Sequence, residues 1–337
     1  MRDLLAPVGL AYGGITQIRN QLYTQEFLKS EKLDKPVVSV GNLTVGGTGK
    51  TPLVDALLTQ FEGQNLKACV LTRGYGRLNN QAGSQIISRS SSPRDCGDEP
   101  LWLARRHPRS AVVVGGDRVK SSKLVRDADI FVLDDGFQHL RIKRDLDIVL
   151  LDCTVPHWHY RPLPWGYGRE DFSGIKRSDI VILTRVNQAK SEHVLEIKNM
   201  VKAQGVSQVF ESRIVPLSAQ ELWTSKVVEV EKKKIFLVSG IANPKSFEMT
   251  VKGLGAQVLD HDVRPDHYVY SQESLNEIFS SAENLGADVV LTTEKDAVKW
   301  SELKSASNKI VAAQLRTEME FQPQLTGIYG LAADKFN

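Results

Sequence analysis

The stretch Val37-Val38-Ser39-Val40-Gly41-Asn42, followed by Leu43-Thr44-Val45-Gly46-Gly47-Thr48-Gly49-Lys50-Thr51, joins an apolar strand to a helix through a glycine-rich turn. Strand, turn and helix must all be in place for such a turn to form a polyphosphate cradle, so this one segment constrains the fold more than any other. Gly46, Gly47 and Gly49 let backbone N–H groups approach phosphate oxygens without a Cβ in the way. Lys50 brings a point charge to the β and γ phosphates, and the Thr51 hydroxyl suits Mg²⁺. Thr44 stands where the usual G-x-x-x-x-G-K-S/T pattern has its first glycine, so the match is a variant. A turn that merely capped a helix would leave the Gly-Lys-Thr order without a reason.

The surrounding pattern predicts what sheet this turn belongs to. A helix is expected over 51–61, apolar strands at 68–72, 111–114, 130–133, 148–152 and 180–184, and helices over 99–106, 117–127 and 191–203. Short, nearly continuous apolar strands alternating with helices imply an α/β fold of the phosphate-loop NTPase type, a parallel sheet covered by helices on both faces. Residues 221–234 are rich in Val, Glu and Lys without a helical period, and read as a connection between a phosphate-loop domain, 29–220, and a smaller α/β domain, 235–337. That second unit carries expected strands at 235–239, 257–259 and 289–292 and helices over 244–254 and 271–285. At 337 residues, 41% hydrophobic and 25% charged, the chain is long enough for two such lobes.

A formal net charge of +3 makes no electrostatic case for nucleic-acid binding. Cys69, Cys96 and Cys153 are odd in number and form no C-x-x-C pair, which fits reduced thiols in a cytosolic compartment. Cys153, His157 and His159 form a C-x-x-x-H-x-H cluster, but a structural zinc site wants a fourth ligand, and a polar loop is the simpler reading. Residues 1–28 hold an amphipathic helix with Leu4, Leu5, Val8, Ala11, Tyr12, Ile15, Ile18 and Leu22 on one face. Its uncharged core is shorter than the about 20 residues that cross a bilayer, and no secretory signal pattern is present. The stripe fits equally a helix packed on the protein and one lying in a membrane interface.

The chemistry converges on a few further residues. Ile130-Phe131-Val132-Leu133-Asp134-Asp135 is a buried strand ending in two acids, as expected of the carboxylates that hold Mg²⁺ in phosphate-loop proteins, and Gly136-Phe137-Gln138-His139 lets the chain turn there and place polar groups near the phosphates. Asp98, in Cys96-Gly97-Asp98-Glu99-Pro100, opens a helix and reads either as an N-cap or as a general base within reach of the γ-phosphate; His267 reads either as a second acid–base candidate or as a loop histidine. The loop Thr72-Arg73-Gly74-Tyr75-Gly76-Arg77 offers two guanidiniums and a ring to an anionic, sugar-like acceptor, and Arg118 and Arg169 extend that basic surface. Leu183-Thr184-Arg185-Val186 stands where guanine-specific proteins carry Asn-Lys-x-Asp, which favours ATP over GTP.

Taken in order, these strings resemble the tetraacyldisaccharide 4'-kinase family, the lipid A 4'-kinases. The resemblance runs through Gly41-Asn42 and the phosphate loop to Pro52, Arg73-Gly74-Tyr75-Gly76-Arg77, Gly97-Asp98-Glu99-Pro100, Gly116-Asp117-Arg118 and Asp134-Asp135-Gly136-Phe137-Gln138-His139. In the second lobe it continues in Gly240-Ile241-Ala242-Asn243-Pro244, Asp266-His267 and Thr293-Glu294-Lys295-Asp296. It implies transfer of the ATP γ-phosphate to the 4'-hydroxyl of an acylated glucosamine disaccharide 1-phosphate, at the cytoplasmic face of the inner membrane, with the N-terminal helix at the membrane surface. It further implies Asp98 as base with His267 as partner, Thr48, Lys50 and Thr51 as phosphate and magnesium contacts, and Asp134 and Asp135 as the acids organising Mg²⁺. Where the family has Pro-Ala-Gly-Pro-Leu-Arg-Glu, this chain has Pro164-Trp165-Gly166-Tyr167-Gly168-Arg169-Glu170, a local departure in loop chemistry. Two rivals use the same cradle: a nucleotide-gated switch ATPase with water as nucleophile, and a kinase of soluble metabolites.

Overall fold

The computed structural model describes residues 2–74, 83–304, 307 and 309–336. Helix α1 (Ala6–Thr24) precedes β1 (Val37–Asn42), α2 (Lys50–Gly63), β2 (Ala68–Thr72), β3 (Gln85–Ile86), α3 (Pro93–Cys96), α4 (Asp98–Arg106), β4 (Ala111–Val114), α5 (Arg118–Ser122), β5 (Ile130–Asp134), β6 (Leu146–Asp152), β7 (Ile180–Thr184) and α6 (Ser191–Ala203). Then come β8 (Gln208–Glu221), β9 (Val227–Val228), β10 (Lys234–Ser239), α7 (Pro244–Gly253), β11 (Gln257–Val263), α8 (Gln272–Asn284), β12 (Val289–Thr293), α9 (Glu294–Trp300), β13 (Val311–Gln322) and α10 (Ile328–Phe336).

Every residue of β1, β2, β5, β6 and β7 is buried, polar Ser39 and Asn42 of β1 included, as expected of strands covered on both faces. β1 lies in the middle, parallel to β5 on one side and β6 on the other. Val38 and Val40 pack towards Leu53 and Leu57 of α2, while Val37, Leu71 and Leu133 form a second core on the opposite face. The α/β sheet expected from the sequence is therefore present, and it carries the phosphate loop at the end of its central strand.

The sheet is continuous across the molecule, in the order β11-β10-β12-β13-β8-β7-β6-β1-β5-β2-β4-β3 with β9 on β8. The two halves are joined by β8, which leaves β7 in parallel, and β13, which returns antiparallel to it with a register shift between Arg316 and Thr317. α5 is shorter than the helix expected over 117–127. Ser121 and Ser122 turn their hydroxyls back onto the Asp117 and Val119 carbonyls, an alternative to helix continuation.

α1 is held against the first half by Gly9 and Gly13: a Cβ at Gly9 would lie 2.6 Å from Trp165 Cβ, and one at Gly13 3.0 Å from Pro162 Cγ. Away from these glycines it leaves Val8, Leu10, Ile15 and Ile18 exposed. The helix thus packs on the protein along one side and keeps an apolar stripe on the other. Among the described residues no helix is long and apolar enough to cross a membrane.

Candidate active site

Between β1 and α2 the backbone adopts conformations that only glycine takes without strain. Gly46 has φ 104° and Gly49 has φ 96°. Two of the loop's carbonyls are taken up by side chains: Arg185 Nη2 donates to Gly47 O at 2.9 Å, and Thr184 Oγ1 to Thr48 O at 3.0 Å. Arg185 is itself anchored by an ion pair to Asp152 at the end of β6. Thr48 Oγ1 is buried without a hydrogen-bond partner, an unmet polar group in a loop suited to phosphate oxygens. A Cβ on Gly47 would come within 2.8 Å of Ala242 Cβ, so the second half closes directly over the loop.

The two acids end β5 in different environments. Asp134 is buried and accepts from Thr72 Oγ1 at 2.9 Å. Burial first, then the charges of Glu99 and Asp135, push its carboxyl up to about 6. Asp135 has φ 52° and turns towards the cations: Arg169 Nη1 lies 2.8 Å from both carboxylate oxygens and Lys50 Nζ 3.5 Å from Oδ1. Burial acts upward on Asp135, but Lys50 and Arg169 outweigh it and hold the carboxyl below its ordinary range. A carboxyl raised by burial and then by neighbouring acids is one a divalent cation would relieve, so Asp134, with Asp135 and Thr51 lining the same cavity, fits Mg²⁺. Among the described residues no three His, Cys, Asp or Glu side chains form a metal site by themselves. Of the Cys153, His157 and His159 cluster, Cys153 lies in the core, His157 faces Glu196, and His159 stacks on Tyr167 with ring centroids 4.4 Å apart.

Arg118 is buried and donates through Nη2 to the Asp134 carbonyl at 3.3 Å, so its guanidinium braces the acid turn. Arg73 is exposed on the cavity rim; Tyr75 and Arg77 lie outside the described residues. Gln138 supports the wall from behind, donating to Asn42 O at 2.9 Å and to Glu170 Oε1 at 3.0 Å. Glu170, buried and paired with Arg177, also accepts from Asn20 of α1 at 2.8 Å. The loop Trp165–Gly168 is held through its backbone. Val45 N donates to Tyr167 O at 2.9 Å and Arg169 N to Leu43 O at 2.7 Å, which ties the loop to the cradle.

Asp98 and His267 come together from the two halves. His267 Nδ1 lies 3.0 Å and 3.2 Å from the Asp98 oxygens, with His267 at φ 61°. Asp98 is the first residue of α4, 5% exposed, and Lys299 Nζ is 3.5 Å from its Oδ2. Burial alone would raise the Asp98 carboxyl; the His267 hydrogen bond and the charges of Lys295 and Lys299 bring it well below the usual carboxylate range. His267 is raised in return, chiefly by its bond to Asp98 and against burial. The cavity beside this pair has a volume of about 770 Å³. Gly46 to Thr51 line one side, Asp134, Asp135, Arg118 and Arg169 another, and His267, Lys295 and Ile241 to Asn243 the third.

The family model of tetraacyldisaccharide-1-P 4'-kinase matches residues 1–329. The chain belongs to that family. It is therefore an ATP-dependent kinase of lipid A biosynthesis, as its motifs imply, and the switch-ATPase and soluble-metabolite rivals are set aside. Among similar proteins, the tetraacyldisaccharide 4'-kinase of Bdellovibrio bacteriovorus is 34% identical over 311 residues, covering 90% of this chain and 91% of that one. That of Geobacter metallireducens is 33% identical over 333 residues, 96% of each chain. The "apo" form LpxK from Aquifex aeolicus, solved in complex with ATP, matches with a TM-score of 0.77 at 29% identity over 100% of this chain and 99% of that one. In this member of the tetraacyldisaccharide 4'-kinase family, sequence reasoning passed over Arg185, Glu99 and Lys295. Lys295 was legible only as part of the Thr293-Glu294-Lys295-Asp296 string, and its ion pairs at 2.9 Å to Glu99 and to Asp266 are made across loops and helices far apart in the chain.

Proposed function

We propose that this kinase binds ATP·Mg²⁺ in the cavity between its halves and transfers the γ-phosphoryl group to the 4'-hydroxyl of a tetraacylated glucosamine disaccharide 1-phosphate. The observation that carries the site assignment is the Asp98–His267 pair, formed across the two halves beside the phosphate loop. Gly46, Gly47, Thr48 and Gly49 hold the phosphates, and Lys50 neutralises charge on them. Thr51, Asp134 and Asp135 are the Mg²⁺ ligands; bound there, the ion would neutralise charge spreading over the phosphoryl oxygens. Arg73, Arg118 and Arg169, with Tyr75 and Arg77 of the same loop, grip the anionic acceptor.

In the reaction, Asp98 is the base and His267 its partner. The acceptor hydroxyl loses its proton to the pair, its oxygen bonds to the γ-phosphorus, and the bond from that phosphorus to the β,γ-bridging oxygen breaks to release ADP. Positioning supplies most of the rate, because a loose phosphoryl-transfer transition state needs little covalent help. The phosphate-loop domain and the smaller α/β domain act as two lobes, connected through 221–234 and again where β13 returns beside β8. The exposed stripe of α1 lies in the membrane interface at the cytoplasmic face of the inner membrane, with the acyl chains of the acceptor beside it.

The test is to incubate the protein with labelled ATP, Mg²⁺ and tetraacyldisaccharide 1-phosphate and follow label into lipid. Label is expected on the lipid, and Asp98→Ala should cut turnover by about 10² to 10⁴ while ATP affinity stays close to that of the parent. An unchanged rate in that variant would falsify the base assignment.

A further inference from the structure

α4 and α9 meet along a seam of opposite charges. Asp98 and Glu99 at the start of α4 face Lys299 at 3.5 Å and Lys295 at 2.9 Å, while Arg106 at its end faces Glu294 at 2.7 Å. The first two contacts surround the Asp98–His267 pair. The third does something different.

Strand β13 keeps its register with β12 as far as Leu315, opposite Thr293, and slips against β8 between Arg316 and Thr317. At that irregularity the Arg106–Glu294 pair takes the place of a neighbouring strand. Thr317 N donates to Glu294 Oε2 at 3.1 Å, and Arg106 Nη2 donates to Thr317 O at 3.2 Å. The third side of the same guanidinium reaches the phosphate-loop helix, with Nε 2.6 Å from Asp55 Oδ1, the oxygen that His107 Nε2 also approaches at 2.7 Å. Asp55 and Glu294 are both buried. One planar side chain therefore ties α2, α9 and the bend in β13 together, which the single point charge of a lysine cannot do.

Resting on the reading of Asp98 and His267 as the reacting pair, we infer that Arg106 is a positioning residue. With Glu294 it locks the bend of β13 to the phosphate-loop helix, and so sets the angle at which the second half presents His267 to Asp98. Within the Thr293-Glu294-Lys295-Asp296 string, Glu294 forms the lock and Lys295 pairs with Glu99. Asp296 anchors the second half's glycine loop by accepting from Gly240 N at 2.9 Å.

The test is a double-mutant cycle in the full-length protein with Arg106→Ala, Glu294→Gln and both together, with Arg106→Lys as the conservative control. Turnover is referred to enzyme that binds nucleotide, so loss of folded protein does not enter. Each single change is expected to lower kcat by about 10- to 100-fold, with lysine giving little rescue and the double variant no worse than the poorer single. ATP Kd should stay within about threefold. The second readout is the distance between spin labels at the exposed Lys120 and Lys245, one in each half; its distribution should broaden in Arg106→Ala. An unchanged label distance overturns the inference whatever the rate, as does a double variant whose losses multiply. If Asp98→Ala keeps full turnover, the reading of the reacting pair fails, while the label distance still reports on the lock.

Discussion

Lys50 is caught between two partners, Asp135 at 3.5 Å and the space above the loop where phosphates would lie. Its removal would leave Asp135 to Arg169 and Arg118 and, in the proposed binding mode, take a fixed cation away from the phosphates. Lys50→Ala should therefore lower kcat by about 10² to 10³, the scale seen when one preorganised charge-stabilising donor is lost; normal kinetics would exclude the cradle assignment. The Asp98–His267 bond makes a second expectation, this time for stability against pH. His267 is raised above 6.5, so its proton supports the fold fully below that value, and the support is lost as pH climbs through the raised one. Asp98 lies below 3.8, so its ionised form supports the fold above that value, and the support is lost as pH falls through the lowered one. Both contributions are fully present only between the two ordinary values, 3.8 and 6.5. The Tm gap between the parent protein and His267→Gln should be widest inside that window and narrow as pH rises above 6.5 through the raised His267 value; a gap independent of pH would sink the ion-pair account.

At the scale of single elements, legibility in the sequence followed burial. β5 and β7 are apolar at every position but the last, as suits strands buried on both faces, so their places follow from Ile130-Phe131-Val132-Leu133 and Ile180-Val181-Ile182 directly. β8 and β13 escape the same reading. They run for 14 and 12 residues with half-buried, mixed faces, so segments such as Gln208-Val209-Phe210-Glu211 carry neither a clean period of two nor an apolar run. The same blindness hid Arg106, because a lone arginine at a helix end looks like a solvated charge until the bend of β13 comes back to meet it. α1 was legible as an amphipathic helix but not in its setting, since Gly9 and Gly13 act only through their contacts with Trp165 and Pro162. From its exposed side comes a prediction: Leu10→Ser with Ile15→Ser, at positions 61% and 67% exposed, should weaken cosedimentation with anionic phospholipid vesicles by at least about tenfold. Turnover on a short-chain, water-soluble acceptor should be unaffected. Unchanged vesicle binding would return α1 to a purely intramolecular role.

For the molecule as a whole, the decisive fact is that the chain crosses between its halves twice. It leaves the phosphate-loop half along β8, comes back along β13, and ends in α10 packed beside β1 and β6. Ile328 and Ala332 are fully buried in the core cluster that contains Val38 and Leu53, and Lys335 is paired with Asp179 of the first half. The last helix therefore stabilises the strand that carries the phosphate loop, although in sequence it follows every element of the second half. Removing three methyl or methylene groups by Ile328→Ala should cost about 2–5 kcal/mol, the range for emptying a closed core site. If this placement governs stability, native-state hydrogen exchange in the variant will lose protection first in β1 and β6, next to the ATP cradle, and nucleotide will restore part of it by mass action. Protection lost instead in β10 and β12 would mean that the C-terminal helix belongs energetically to the half it follows.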